Sequence, residues 1–183
     1  LGSLSMGTGV TTGDGNVALG YGSLLNSTTA SNNIAIGFES MRASSEALYN
    51  VAIGFRSLYT NVEGDSNVAI GYDALRVFNP SNGSTYNTAV GHQAGAAMTT
   101  GVKNTLIGGL AGSALTSGGE NVAIGYAALI SEDANGRNVA IGKSALATQN
   151  AGNDAYNVAV GYESGKAITT GVQNVVLGGR ALQ

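Results

Sequence analysis

Asn121-Val-Ala-Ile-Gly-Tyr-Ala-Ala-Leu129 decides how the chain folds, because its opening pentapeptide returns along the whole sequence. Versions of Asn, small β-branched residue, Ala, aliphatic residue and Gly begin at Asn16, Asn33, Asn50, Asn67, Asn87, Asn104, Asn121, Asn138, Asn157 and Asn174. Most steps are 17 residues; the step from Asn67 to Asn87 is 20 and that from Asn138 to Asn157 is 19. A fixed period of this size is the signature of a solenoid, in which each repeat stacks on its neighbour. Apolar residues two apart, such as Val122 and Ile124 around Ala123, have strand periodicity.

Each column of the repeat carries an expectation. The Gly that closes the pentapeptide marks a backbone bend or a close approach, and the Asn marks a turn or a stacked ladder of side-chain amides. The Val and Ile side of the strand is expected to fill the core. The Ala side, from Ala18 to Ala159, is expected to lie outside as a flat surface for a partner chain. After the Gly comes an aromatic residue (Tyr21, Phe38, Phe55, Tyr72, Tyr126, Tyr162), and His92 stands in the same column. A mostly polar column facing water (Glu39, Arg56, Asp73, Gln93, Glu163, Arg180) and a Ser or Ala column follow, and this stretch reads as a second short strand. The rest of each unit, rich in Ser, Thr, Asn, Asp and Gly, reads as loop.

Composition narrows the function. Of 183 residues only 10% are charged, there is one His and no Cys, and the net charge is -3. An ordinary domain is about 25% charged. Little material is therefore present for acid and base catalysis, for metal ligation or for a basic nucleic-acid face. The expectation is a non-enzymatic chain with no cofactor, no metal, no nucleic-acid partner and no membrane insertion. Identical chains packing their alanine faces about a threefold axis would cover the exposed side, and a dimer satisfies the pattern too.

With the repeats in hand, Asn121 to Leu129, and nearly Asn67 to Leu75, resembles the head repeats of trimeric autotransporter adhesins. It resembles still more closely the related repeats in long tail fibres of tailed bacteriophages, because the 17-residue unit is longer than the adhesin unit. The resemblance covers essentially the whole chain. It implies an all-β fold, a single-chain left-handed parallel β-roll of about ten coils, assembled as a parallel homotrimer. The domain expectation is one β-solenoid over 1–183, a piece of a longer fibrous chain, with 1–15 as a partial first coil. The function implied is a structural shaft or adhesin module of a virion tail fibre used in host attachment. The alternative is the head of a bacterial trimeric surface adhesin, located on the cell surface.

Several local motifs have plainer readings. Gly136 to Ser144 resembles a phosphate-binding loop, but its glycines are spaced wrongly and it is the eighth repeat. Asp14, Asp65, Asp133 and Asp154 recur too irregularly for a calcium-binding solenoid and read as turn residues. The pairs Thr28-Thr29, Thr99-Thr100 and Thr169-Thr170 are too few for an ice-binding face, and glycosylation triplets at Asn26 and Asn82 are common by chance. Glu132 and Asp133 lack the separated carboxylate partner that glycoside hydrolysis needs.

The two longer coils are better candidates, since loops that protrude from a rigid shaft can bind. Their candidate receptor contacts are Phe78, Asn79, Asn82, Tyr86, Asn150, Asn153, Asp154 and Tyr156, facing a host glycan or protein. Tyr86 to Leu110 also resembles Tyr156 to Arg180 at an offset of 70, which points to duplication of a four-coil block.

Overall fold

A computed structural model describes residues 12–81 and 83–183. Ten three-residue strands follow one another in chain order: β1 Val17–Leu19, β2 Ile34–Ile36, β3 Val51–Ile53, β4 Val68–Ile70, β5 Thr88–Val90, β6 Thr105–Ile107, β7 Val122–Ile124, β8 Val139–Ile141, β9 Val158–Val160 and β10 Val175–Leu177. They form one sheet in the order β1 to β10, each pairing in parallel only with its sequence neighbours. The repeat register is kept, Ala52 opposite Ala69 and Ala123 opposite Ala140. The protein is an all-β solenoid. Most of the expected partial first coil lies outside the described residues.

The Asn column is an amide ladder. Every ladder Asn from Asn33 to Asn174 donates its backbone N–H to the side-chain Oδ1 of the Asn one coil earlier, at 2.8–3.1 Å. In the regular coils its Nδ2 crosses the interior to the carbonyl fourteen residues on, as from Asn50 to Gly64 at 2.9 Å and from Asn104 to Gly118 at 2.9 Å. Each amide thus fixes the preceding coil, the following coil and the far end of its own coil. Such bonding offsets the cost of burying a polar side chain.

Tight corners demand left-handed backbone. Around the third coil Tyr49 (φ 58°), Arg56 (51°) and Leu58 (49°) adopt it, with Gly54 at 134°. At the Gly54 column a side chain has no room, because a Cβ there would strike the Gly71 carbonyl of the next coil. The non-glycine corners carry roughly 1–2 kcal/mol of strain each. Hydrogen bonds between coils hold them in place: the Arg56 amide to the Phe38 carbonyl at 2.9 Å, and the Leu58 amide to the Ala74 carbonyl at 3.1 Å. The stretch expected as a second strand is therefore a run of turns bonded from coil to coil. Left-handed residues two apart cannot make a pleated strand.

The two faces of the sheet are also the reverse of the expectation. Ala35, Ala52, Ala69, Ala89, Ala123, Ala140 and Ala159 are fully buried, while the flanking Val, Ile and Leu residues point outward and are half-exposed or exposed. The reason is the width of the lumen. Leu24, Met41, Leu58, Leu75, Leu129 and Leu146 fill it from the opposite wall, and opposite them only a methyl group fits. Where that wall carries Gly95, Gly112 and Gly165, the bulk moves to Met98, Leu115 and Ile168, three residues on. Leu106 takes an alanine position in β6 and packs against Gly95 and Gly112, so the interior volume is conserved.

Replacing Asn104 by Ala removes the acceptor of the Asn121 amide at 3.0 Å and the donor to Gly118 at 2.9 Å, leaving buried groups unbonded. The expected loss is about 2–4 kcal/mol of local stability. Hydrogen exchange should show it as lost protection centred on β5 to β7, with β2 and β3 much less affected.

Candidate functional site

The outward side of the sheet is an aliphatic row in which Thr88 and Thr105 interrupt one of the two columns. Val51 and Ile53, Val68 and Ile70, Val122 and Ile124, and Val139 and Ile141 stand on it in register, and no strand from β1 to β10 contains an ionisable residue. Its length over ten strands is about 43 Å at about 4.8 Å per step. Beside it Tyr21, Phe38, Phe55, Tyr72 and His92 stack one above the next, with centroids 5.1–5.4 Å apart and planes within 16° of parallel. His92 is thus the last ring of an aromatic column. The column breaks at Gly109, where the Tyr126 ring leans across the gap.

The polar column after the aromatic residues is partly sheltered rather than fully in water. Glu39 and Asp73 are buried, because cations fold over them. Glu39 holds Arg56 at 2.9 Å and Arg42 at 3.5 Å, and Arg56 lies 5.0 Å from the Phe55 ring centroid. The same arrangement recurs where Glu163 holds Lys166 at 2.9 Å and Arg180 at 3.9 Å. The hydrogen bond from Lys166 is the main cause that lowers the Glu163 carboxyl below its usual range.

On the other flank of the strands runs a second charged column. Glu120 accepts from Arg137 at 3.1 Å and faces Lys103 at 3.7 Å, and Arg137 also binds Asp154 and donates to the Tyr156 hydroxyl at 2.9 Å. The bond from Arg137 lowers the Glu120 carboxyl below its usual range. Asp65 and Asp154 do turn work between coils, taking the Leu48 amide at 2.7 Å and the Gly136 amide at 3.1 Å. Among the described residues no group of three or more His, Asp and Glu could hold a metal ion. No helix among the described residues is long and apolar enough to cross a membrane.

The candidate receptor contacts separate into two kinds. Phe78 is a correction: it is 0% exposed and is the largest enclosed side chain among the described residues, so it cannot touch a receptor from the loop surface. Its position in the coil turns inward at every level, as Ser27, Ser44 and Asn61 do, and Pro80 folds back with it over Gly64. Asn79, Tyr86, Asn150, Asn153, Asp154 and Tyr156 are exposed, and Asn82 lies outside the described residues. The two long coils dock alike, the Asn79 amide on the Thr99 carbonyl at 2.9 Å and the Asn150 amide on the Thr169 carbonyl at 2.7 Å. Sequence reasoning missed the aliphatic row as the exposed side, and it missed the charged column at Lys103, Glu120 and Arg137. The second was visible as three ionisable residues one position before the ladder Asn.

The fold and this surface define a β-solenoid repeat protein with an uncharged, mostly aliphatic side. No family model, no curated protein and no solved structure matches the chain.

Phe78→Ala should destabilise the chain by about 3–5 kcal/mol, as for a large aromatic removed from a core. Tyr86→Ala, at a side chain 59% exposed, should change stability by no more than about 0.5 kcal/mol. Urea denaturation of both variants checks the assignment of inside and outside.

Proposed function

We propose that the chain is a structural shaft or adhesin module of a bacteriophage tail fibre, acting as a homotrimer in host attachment. One observation carries this reading: the aliphatic row of β1 to β10 runs the full length of the described shaft without a charge. Apolar surface of that extent marks an interaction face. A straight row repeating once per coil fits best against another straight row with the same repeat, which a further copy of this chain provides. Three such rows meeting at an axis would form a second core of Val, Ile and Leu between the chains. The association surface in this reading is therefore the branched-residue side, and the alanines belong to each chain's own interior.

Left-handed coiling, a parallel trimer and a location on the virion enter with the resemblance to tail-fibre repeats stated above. The exposed tyrosines Tyr86 and Tyr156 and the loops beside them are the receptor-facing part of this proposal, for a host glycan or protein. The head of a bacterial trimeric adhesin is the second reading, and the same outward row supports it equally. Neither reading assigns chemistry to the chain. The recess at its last coil is lined by Ala167, Ile168, Leu182 and Gln183, none of them ionisable.

Sedimentation of the isolated chain should give a species of three times the chain mass. Ile53→Lys combined with Ile124→Lys should give single chains with an unchanged far-ultraviolet circular dichroism spectrum, since both side chains lie outside the lumen. A wild-type chain that sediments singly at micromolar concentration would overturn the assembled-fibre reading.

A further inference from the structure

The interior of the seventh and eighth coils, those beginning at Asn121 and Asn138, differs from the rest. In regular coils the ladder Asn gives its Nδ2 to a carbonyl fourteen residues on, at 2.7–3.2 Å. The two long coils displace that carbonyl. The coil of Asn67 keeps the other Nδ2 bonds seen in regular coils, to Asn50 Oδ1 and to the Asp65 carbonyl, each at 3.0 Å, and Thr85 Oγ1 adds a bond to Asn67 Oδ1 at 2.8 Å. The coil of Asn138 keeps neither, and its buried Nδ2 has no partner.

Two more unpaired atoms belong to the same neighbourhood. Glu132 and Gln149 occupy, on successive coils, the inward column that holds Met98 and Leu115 below them and Ile168 beyond. Both are fully enclosed. Glu132 Oε1 accepts from Asn135 at 3.0 Å and Gln149 Oε1 accepts from Asn157 at 3.0 Å. Glu132 Oε2 and Gln149 Nε2 are left bare. Asn138 follows Glu132 by six residues, the spacing at which Asn104 Nδ2 comes within 3.9 Å of the Met98 sulfur. An acid and two amides thus line adjacent coils of the lumen, each with an unsatisfied atom. A buried polar atom without a partner costs about 1–3 kcal/mol, and a buried charge without one costs more.

We propose that the junction of these two coils is a proton-controlled seam in the shaft, closed while Glu132 is a neutral acid and opened to water when it ionises. No cation within the described residues forms an ion pair with Glu132. Arg137, the nearest in sequence, is held on the outer surface by Glu120, Asp154 and Tyr156. The sixth coil presents Leu115 and the eighth presents Gln149, both uncharged, and Asp133 beside it adds a like charge. Burial outweighs the hydrogen bonds that Asn135 and the Asp133 amide give to the carboxylate and pushes the Glu132 carboxyl above its usual range. For an acid raised in this way the added stability is fully present below the ordinary carboxyl range. It is lost as pH rises through that range to the higher value in the folded chain.

Hydrogen exchange on the full chain, in whatever assembly it adopts, tests this at pH 4.5 and pH 8 after correction for intrinsic exchange rates. Protection across residues 129–157, taken relative to β2 and β3, should fall by about tenfold or more at the higher pH. Glu132→Gln keeps the shape without the charge and should abolish that fall, and Glu132→Leu should raise protection at both pH values. Equal relative protection at both pH values in the wild type would overturn the proposal. So would a fall that persists in Glu132→Gln or, if that variant does not fold, in Glu132→Leu. The result does not depend on the oligomer, so it stands or fails separately from the fibre reading.

Discussion

A side-chain amide at one position per coil holds the register on which the other contacts rely. Strands of three residues make few ladder bonds, too few to prevent neighbouring coils from slipping. The Asn column adds a contact that slips only by breaking: Oδ1 takes the next coil's amide, as Asn33 takes that of Asn50 at 2.9 Å. Because Nδ2 also spans the coil's own interior, as from Asn33 to Ala47 at 2.7 Å, the same residue sets the width of the lumen. That width explains the alanines. A wall fixed so close to its opposite number leaves room for little more than a methyl group on the strand side, and the levels differ in which columns of the opposite wall supply the bulk.

The trade between columns shows how narrow the tolerance is. Leu58 coexists with Asn61, and Leu75 with Phe78, whereas Gly95 coexists with Met98 and Gly112 with Leu115. The glycine levels leave space that Leu106 enters from β6 in place of the usual alanine. No single position explains Leu106; it follows from Gly95 on one side and Gly112 on the other.

Much of the architecture was legible because it depends on period. Recurrence of Asn and Gly gave the stacked coils and their number, while the parallel order of strands was implied by the resemblance to fibre and adhesin repeats; identical units stacked at a fixed step suit that order. Which side of the strand faces in was not legible from alternation, because Val51, Ala52 and Ile53 alternate equally well in either orientation. The deciding quantity was the volume on the opposite wall, read from Leu58 and its equivalents across the coil. The turn stretch misled for a related reason. Phe55, Arg56, Ser57 and Leu58 alternate as a strand would, but Arg56 and Leu58 are left-handed. Phe78 looked like loop because its neighbours Asn79, Pro80 and Ser81 are loop residues; its place in the period, three after Leu75, assigns it inward.

The two long coils show what an insertion does to such a structure. Both lift a carbonyl away from the ladder Asn, and the consequence depends on what else lines that level. Near Asn67 the inserted stretch returns Phe78 to the lumen and brings Thr85 to the ladder, so bulk and hydrogen bonds are both restored. Near Asn138 the equivalent inward positions are Glu132 and Gln149, which bring further polar atoms into a space already short of partners. The exposed parts of both insertions look alike, Tyr86 matching Tyr156 and Asn79 matching Asn150, yet their interiors do not. Loop similarity on the surface of a solenoid thus says little about the stability of the coil beneath it, because the lumen counts volume and hydrogen bonds level by level.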